Sequence, residues 1–172
     1  MGILSGNPKE EPMHYGEVFG AWSFLTAAKA MIAAYQTKIN HVGDKELKEL
    51  IEEAIKQCKQ EEKEIEALLK ENGVGLPPTP PDRPKAALEE IPVGARFLDQ
   101  EISAALSASI AAGLVACSTI MGESLREDIG MMFGQFHLQK AALGVKALRL
   151  AKEKGWIIVP PLHNHHLTKE EK

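Results

Sequence analysis

Residues 73–84 read GVGLPPTPPDRP, five prolines and two glycines in twelve positions. They stand between two long stretches of helical periodicity. Proline lacks the amide proton and fixes φ, so neither a helix interior nor a central strand can run through such a segment. The fold therefore turns on one question: does this segment separate two domains, or does it join two halves of one?

The flanks give the answer. A first helix is predicted from about Tyr15 to Asn40, with Val18, Trp22, Leu25, Ile32 and Ile39 at alternating spacings of three and four, a stripe that Phe24, Ala28, Met31 and Tyr35 widen. Gly43 breaks it, and Asp44 is placed to cap a second helix over about 45–72. The stripe of the second is Leu47, Ile51, Ala54, Cys58, Ile65 and Leu68; its other face is crowded with Glu and Lys and reads as solvated. Asn72-Gly73 is a stop signal. A third helix is expected over about 99–121, opened by Asp99 as N-cap. Its Ala104, Ala105, Ala108, Ala111, Ala112, Gly113 and Ala116 are small enough for burial nearly all round. Ser124 and Glu127 have capping-box spacing, which starts a fourth helix over about 125–154 with Ile129, Phe133, Phe136, Leu143, Ala147 and Leu150 inward. A tail, 156–172, follows.

The links between the first and second helices and between the third and fourth are a few residues long, so each pair is an antiparallel hairpin. Each hairpin has an apolar face that it cannot bury alone. A helix of this length is ~40 Å long, and the connection over about 73–98 can reach ~80 Å when extended. It can travel the length of the bundle and start the third helix at the same end as the second. The reading is all-α: a single domain, 1–172, a ferritin-like four-helix bundle, up-down-down-up, with one long crossover.

Composition narrows the function classes. With 20 Lys+Arg against 24 Asp+Glu the net charge is -4, and no basic stripe forms, which argues against nucleic acid as a partner. Residues 102–122 carry no charge and are long enough to cross a bilayer, but so much Ala, Ser and Gly favours a helix packed among helices over a membrane span. The N-terminal MGILSGNPKEEP lacks the basic and apolar regions of a signal peptide. Synthesis in the cytoplasm is expected, with Cys58 and Cys117 as reduced core residues.

Di-metal proteins of this topology hold the metals with a Glu from each of two helices and Glu-x-x-His from each of the other two. Glu-x-x-His does not occur in the chain. Mid-helix positions offer Lys29, the pair Gln57 and Gln60, Ser107 and Ser109, and Gly134 three before His137. No catalytic residue, metal site or cofactor is expected. What remains is an interior polar cluster of Lys29, Gln57, Glu61 and His137, with Lys140 also facing inward and Lys29 pairing with Glu61 across the first hairpin. His14 with Glu17, and His163, His165 and His166, read as solvated termini.

The second half has further punctuation: FLDQEISAAL around Asp99, then Leu125-Arg126-Glu127, Lys154-Gly155-Trp156 and Val159-Pro160-Pro161. In these it resembles the spore-coat-F-like, ferritin-like proteins of spore-forming bacteria. The first hairpin and the crossover resemble an uncharacterised family of the same bacteria, which often carries the bundle in duplicate; this chain would be a single copy. The resemblance implies a non-enzymatic spore-coat-related structural or interaction protein, associating with itself or with other coat proteins and localised to the coat. The alternative is a metal-dependent oxidase or small-ligand carrier using the bundle interior.

Overall fold

The structure, a computed structural model, describes residues 10–161 and residue 163. The readings made on Met1–Lys9 and on His165, His166 and the last residues lie outside it. Among the described residues there are four α-helices and no strand: α1 (Tyr15–Lys38), α2 (Lys45–Glu71), α3 (Asp99–Glu123) and α4 (Glu127–Glu153). A 3-10 turn, Ile39–His41, extends α1, and two more, Leu88–Glu90 and Val93–Ala95, stand late in the crossover.

Contacts at the two ends fix the topology. At one end, Arg126 before α4 reaches Asn72 after α2 (2.9 Å), and His14 before α1 meets the carbonyl of Glu123 closing α3 (3.1 Å). At the other, Asp99 opening α3 touches the α1–α2 link, and Lys154 after α4 reaches Asp44, the cap of α2 (2.8 Å). Helices α1 and α4 run one way and α2 and α3 the other, so the order is up-down-down-up. α2 and α4 both end on a glycine in the left-handed region, Gly73 (φ 70) and Gly155 (φ 69). Each is followed by a backbone bond back into the last turn, Val74 N–H to Leu69 and Trp156 N–H to Ala151, the closure that frees a helix end from further elongation.

The caps depart from the sequence reading. Asp44 caps α2 as expected, accepting from the amides of Glu46 and Leu47. Asp99 does not cap its own helix; it is the first residue of α3, and its carboxylate accepts instead from the amides of Gly43 (2.9 Å) and Asp44 (3.0 Å) in the other hairpin's turn. The Ser124–Glu127 capping box does not form, because α4 begins only at Glu127 and the Ser124 hydroxyl turns back to the carbonyl of Ile120. The amides of Leu125 and Arg126 are taken by Oε1 of Glu17, at 2.8 and 2.9 Å, from the first turn of α1. The other oxygen of Glu17 accepts from the amide of His14, and the whole residue is 2% exposed. A carboxylate near the start of each hairpin thus satisfies the turn of the other.

The crossover is bound along α1. The Trp22 indole donates to the carbonyl of Gly75, Lys29 to Pro77 (3.0 Å) and to the Thr79 hydroxyl (2.7 Å), and Gln36 to Asp82 while accepting from Arg83 N–H. Asn40 does the same with Pro84 and Ala86. The first three stand seven apart, two helical turns, so one face of α1 meets the extended strap at regular intervals.

The core falls into two apolar clusters. One holds Ile32, Tyr35, Leu47, Ile51, Ile102, Leu106 and Leu150 with their neighbours. The other, toward the α4 N-terminus, holds Leu25, Ile65, Leu69, Cys117, Ile129 and the ring cluster of Phe24, Phe133 and Phe136. The expectation that α3 is buried nearly all round is corrected. Ala104, Ser107, Ala108, Ala111, Ala112, Val115, Ser118 and Thr119 are exposed, because α3 packs closely on α4 and only loosely on α1. By length and composition the helical stretches Tyr15–His41 and Val93–Glu123 are both apolar enough to cross a membrane, with 44% and 22% of their most apolar windows buried.

Two measurements test this architecture. Glu17→Ala leaves three amides without their acceptor and is expected to cost about 2–4 kcal/mol in urea unfolding. Wild-type stability for that variant would show that the cross-cap is not holding the hairpins together. Cutting 73–98 to about four residues, the length of a tight helix–helix loop, is expected to abolish cooperative unfolding, since α3 could no longer start beside α2.

Candidate functional site

Between the two apolar clusters, at mid-height, the interior turns polar. Lys140 of α4 points across the bundle to Glu61 of α2, its Nζ 2.7 Å from Oε1 and 2.8 Å from Oε2. Glu61 is 0% exposed and Lys140 9%. Only the contact to Oε2 has the alignment of a hydrogen bond; Oε1 has none, and neither does the buried Nε2 of Gln57, one turn earlier on α2. Burial pushes the Glu61 carboxyl above its ordinary range, and Lys140 pulls against that shift. The Lys140 ammonium also lies 5.4 Å from the centroid of the Phe24 ring, a favourable cation–π distance.

The ion pair lies in the floor of a cleft of about 650 Å³ between α1 and α3. Phe19, Ala27, Ala112 and Thr119 stand exposed at its rim, Phe24, Met31 and Ile120 form its walls, and Cys58, Glu61 and Lys140 are at its base. Gly113 makes room for the lysine: a Cβ there would sit 2.8 Å from Lys140 Cδ and 3.0 Å from Cε. At one end of the cleft the Tyr35 and Ser109 hydroxyls are hydrogen-bonded. The Ser109 hydroxyl hydrogen goes to the carbonyl of Leu106 (2.8 Å), so Tyr35 is the donor to Ser109. Burial pushes the Tyr35 hydroxyl up to about 12 despite that bond, and the thiols of Cys58 and Cys117 to about 12 as well. At neutral pH all three are protonated, and neither thiol is an activated nucleophile.

Of the four cluster residues read from the sequence, the structure puts Gln57 and Glu61 in this cleft and the other two elsewhere. Lys29 does not pair with Glu61. It is 3% exposed on the far side of α1, beneath the crossover, where it meets Glu66 of α2 at 2.8 Å and Glu62 at 3.9 Å. The cause is helical phase. Glu62 and Glu66 share the outer face of α2, whereas Glu61 falls with Ala54, Cys58 and Ile65 on the inner one. The Lys29 ammonium also holds the Glu66 carboxyl below its ordinary range, with help from Lys70. His137 is half-buried on α4 and is not among the cleft residues. The partner of Glu61 is Lys140, an inward position on the α4 stripe; its match to Glu61 depends on the register between α2 and α4, which no local pattern encodes. Among the described residues no three His, Cys, Asp or Glu side chains gather closely enough to hold a metal ion.

Comparison with known proteins places the chain among close relatives. Residues 1–168 match the family described as Protein of unknown function (DUF3231). The uncharacterized protein YvdQ of Bacillus subtilis (strain 168) is 60% identical over 168 residues, which is 96% of this chain and 99% of that one. A crystal structure from Bacillus halodurans C-125, of a protein named "putative spore coat protein", superposes with a TM-score of 0.91 at 56% identity, covering 92% of this chain and 99% of that one.

The buried pair makes a direct prediction. Glu61→Leu or Lys140→Met alone strands a buried charge and is expected to cost about 3–5 kcal/mol. The double variant Glu61→Leu/Lys140→Met is expected to return to within about 1 kcal/mol of wild type. Both are read from denaturant unfolding as a double-mutant cycle. Additive losses would mean that the two side chains are not energetically coupled.

Proposed function

From the membership of this chain in the DUF3231 family, we propose that it is a structural component of the spore coat, a ferritin-like bundle without a metal centre that acts through its surfaces. The observation that carries this reading is the likeness, at 56% identity over nearly the whole chain, to the Bacillus halodurans protein that bears a spore-coat name. The form of the molecule agrees with a surface role. The outward face of α3 is uncharged and made of small side chains from Ala104 to Ser118, so another helix can approach it closely, and burying apolar surface between copies contributes roughly 25 cal/mol per Å². Self-association and contact with other coat proteins are the partners this face suits.

The oxidase alternative lacks a donor set: the mid-bundle level holds one carboxylate, one ammonium and one amide where a di-metal centre of this topology needs four Glu and two His. A carrier role for the interior is favoured by one observation, the apolar-walled cleft of about 650 Å³ between α1 and α3. A fluorescently tagged copy followed through sporulation tests the coat reading. Signal is expected to gather around the forespore and remain on the released spore. Diffuse signal in growing cells, with none at the forespore, would overturn it.

A further inference from the structure

We propose that the outer face of α4 is the contact through which two copies of this chain form an antiparallel, two-fold dimer. This rests on the self-association read above and deepens it, naming the face and the way the second copy lies on it.

Opposite its core stripe, α4 carries Met131, Leu138 and Val145, seven residues apart and 68%, 70% and 48% exposed. A seven-residue spacing keeps them on one line along the helix, as in the seam of a coiled coil. The outer face of α2, by contrast, exposes no large hydrophobic side chain. From Ile129 to Val145 the only Asp, Glu, Lys or Arg is Lys140, which turns inward to Glu61. On one flank Gly134 lies against the Met121 side chain of α3, so the apolar surface continues onto α3. On the other, Lys146 pairs with Glu53 of α2 at 2.6 Å and forms a polar rim. An apolar centre with a polar edge is the composition of a protein interface.

The charges at the two ends of this line say what covers it. Glu127 stands one turn before Met131, and Arg149 one turn after Val145, both on the same face and both exposed. Neither has an ion-pair partner among the described residues. Glu127 and Arg149 are equally far from Leu138, and so are Met131 and Val145. A second copy laid antiparallel and turned about Leu138 therefore sets Leu138 on its own counterpart, Met131 on Val145 and Glu127 on Arg149, each pair twice. The small residues one turn either side of Leu138, Gly134 and Ala142, meet in the same way. The face is thus complementary to itself in shape and in charge, the condition of an isologous interface. An unrelated partner would require no such symmetry. The length is sufficient as well. From Glu127 to Arg149 the helix runs ~33 Å, and a band about two helix spacings wide gives roughly 600–700 Å² per copy, against ~800 Å² in a stable dimer of standard size.

Sedimentation velocity on the full, untagged chain tests the proposal. The wild type is expected to be a dimer with micromolar or tighter affinity. Leu138→Glu and Leu138→Lys each set like charges on the axis and are expected to weaken the dimer at least about 100-fold. Mixing these two variants is expected to restore a dimer, because position 138 faces itself. Orientation is read from the ends. Glu127→Arg is expected to weaken the dimer about tenfold, and Glu127→Arg/Arg149→Glu to return it to within about threefold of wild type. In a parallel pair like would face like throughout, and neither change would have that effect. All these positions are exposed, and thermal unfolding confirms that each variant folds. A wild-type monomer at about 500 μM would overturn the proposal, whether or not that monomer sediments with phosphatidylglycerol vesicles. So would a dimer that survives Leu138→Glu and is lost with Ala111→Glu on α3, a Leu138→Glu/Leu138→Lys mixture that stays monomeric, or charge reversal at Glu127 without effect. These measurements are made on the purified chain, so a monomer leaves the forespore localisation test as it was, and absence from the forespore leaves the dimer standing.

Discussion

Each hairpin of this bundle is completed by a carboxylate from the other. Glu17 takes the amides that open α4, and Asp99 takes those of the α1–α2 turn. Short turns between antiparallel helices leave backbone donors without a helical partner, and in the closed bundle the amide of Arg126 is buried with its acceptor. Supplying the acceptor from the opposite hairpin couples turn geometry to docking. Sliding the halves along each other would part the buried Arg126 amide from Glu17 and the more exposed Gly43 amide from Asp99. Register and hairpin closure thus become one event. The apolar stripes alone would not enforce this, because small side chains such as those of α3 tolerate several offsets.

Within that frame the proline segment has a second task besides connection. It lies along α1 through Trp22, Lys29, Gln36 and Asn40, and through Lys29 it also engages Glu66 of α2. A segment stiffened by proline loses less entropy on being fixed, and its carbonyls are free to accept because no helix or sheet claims them. The polar atoms that line α1 on this side are therefore partners of the strap and not of the interior.

The sequence made the helices, their stripes and the crossover legible because these depend on local spacing and on proline chemistry. Every stripe residue assigned to α2 and α4 is buried. Partnerships across elements were less accessible. Asp99 and Ser124 have cap-forming chemistry at cap-like positions, yet one serves another hairpin and the other turns back on α3. Lys29 was legible as an inward polar residue, but its phase with Trp22 and Gln36 was the signal for a strap, not for a partner on the α2 inner face. The exposure of α3 could not be read from its composition, since small apolar residues suit a buried helix and a contact surface equally well. The cleft depends on the spacing between α1 and α3, which is set by what α4 sends between them.

The strap and the cleft lie on opposite sides of α1. One flank is closed by an extended chain whose hydrogen bonds are spent on the bundle, and the other is open, apolar and indented. Such a molecule has a front and a back. Any number of copies held in one orientation would inherit that difference between their two faces.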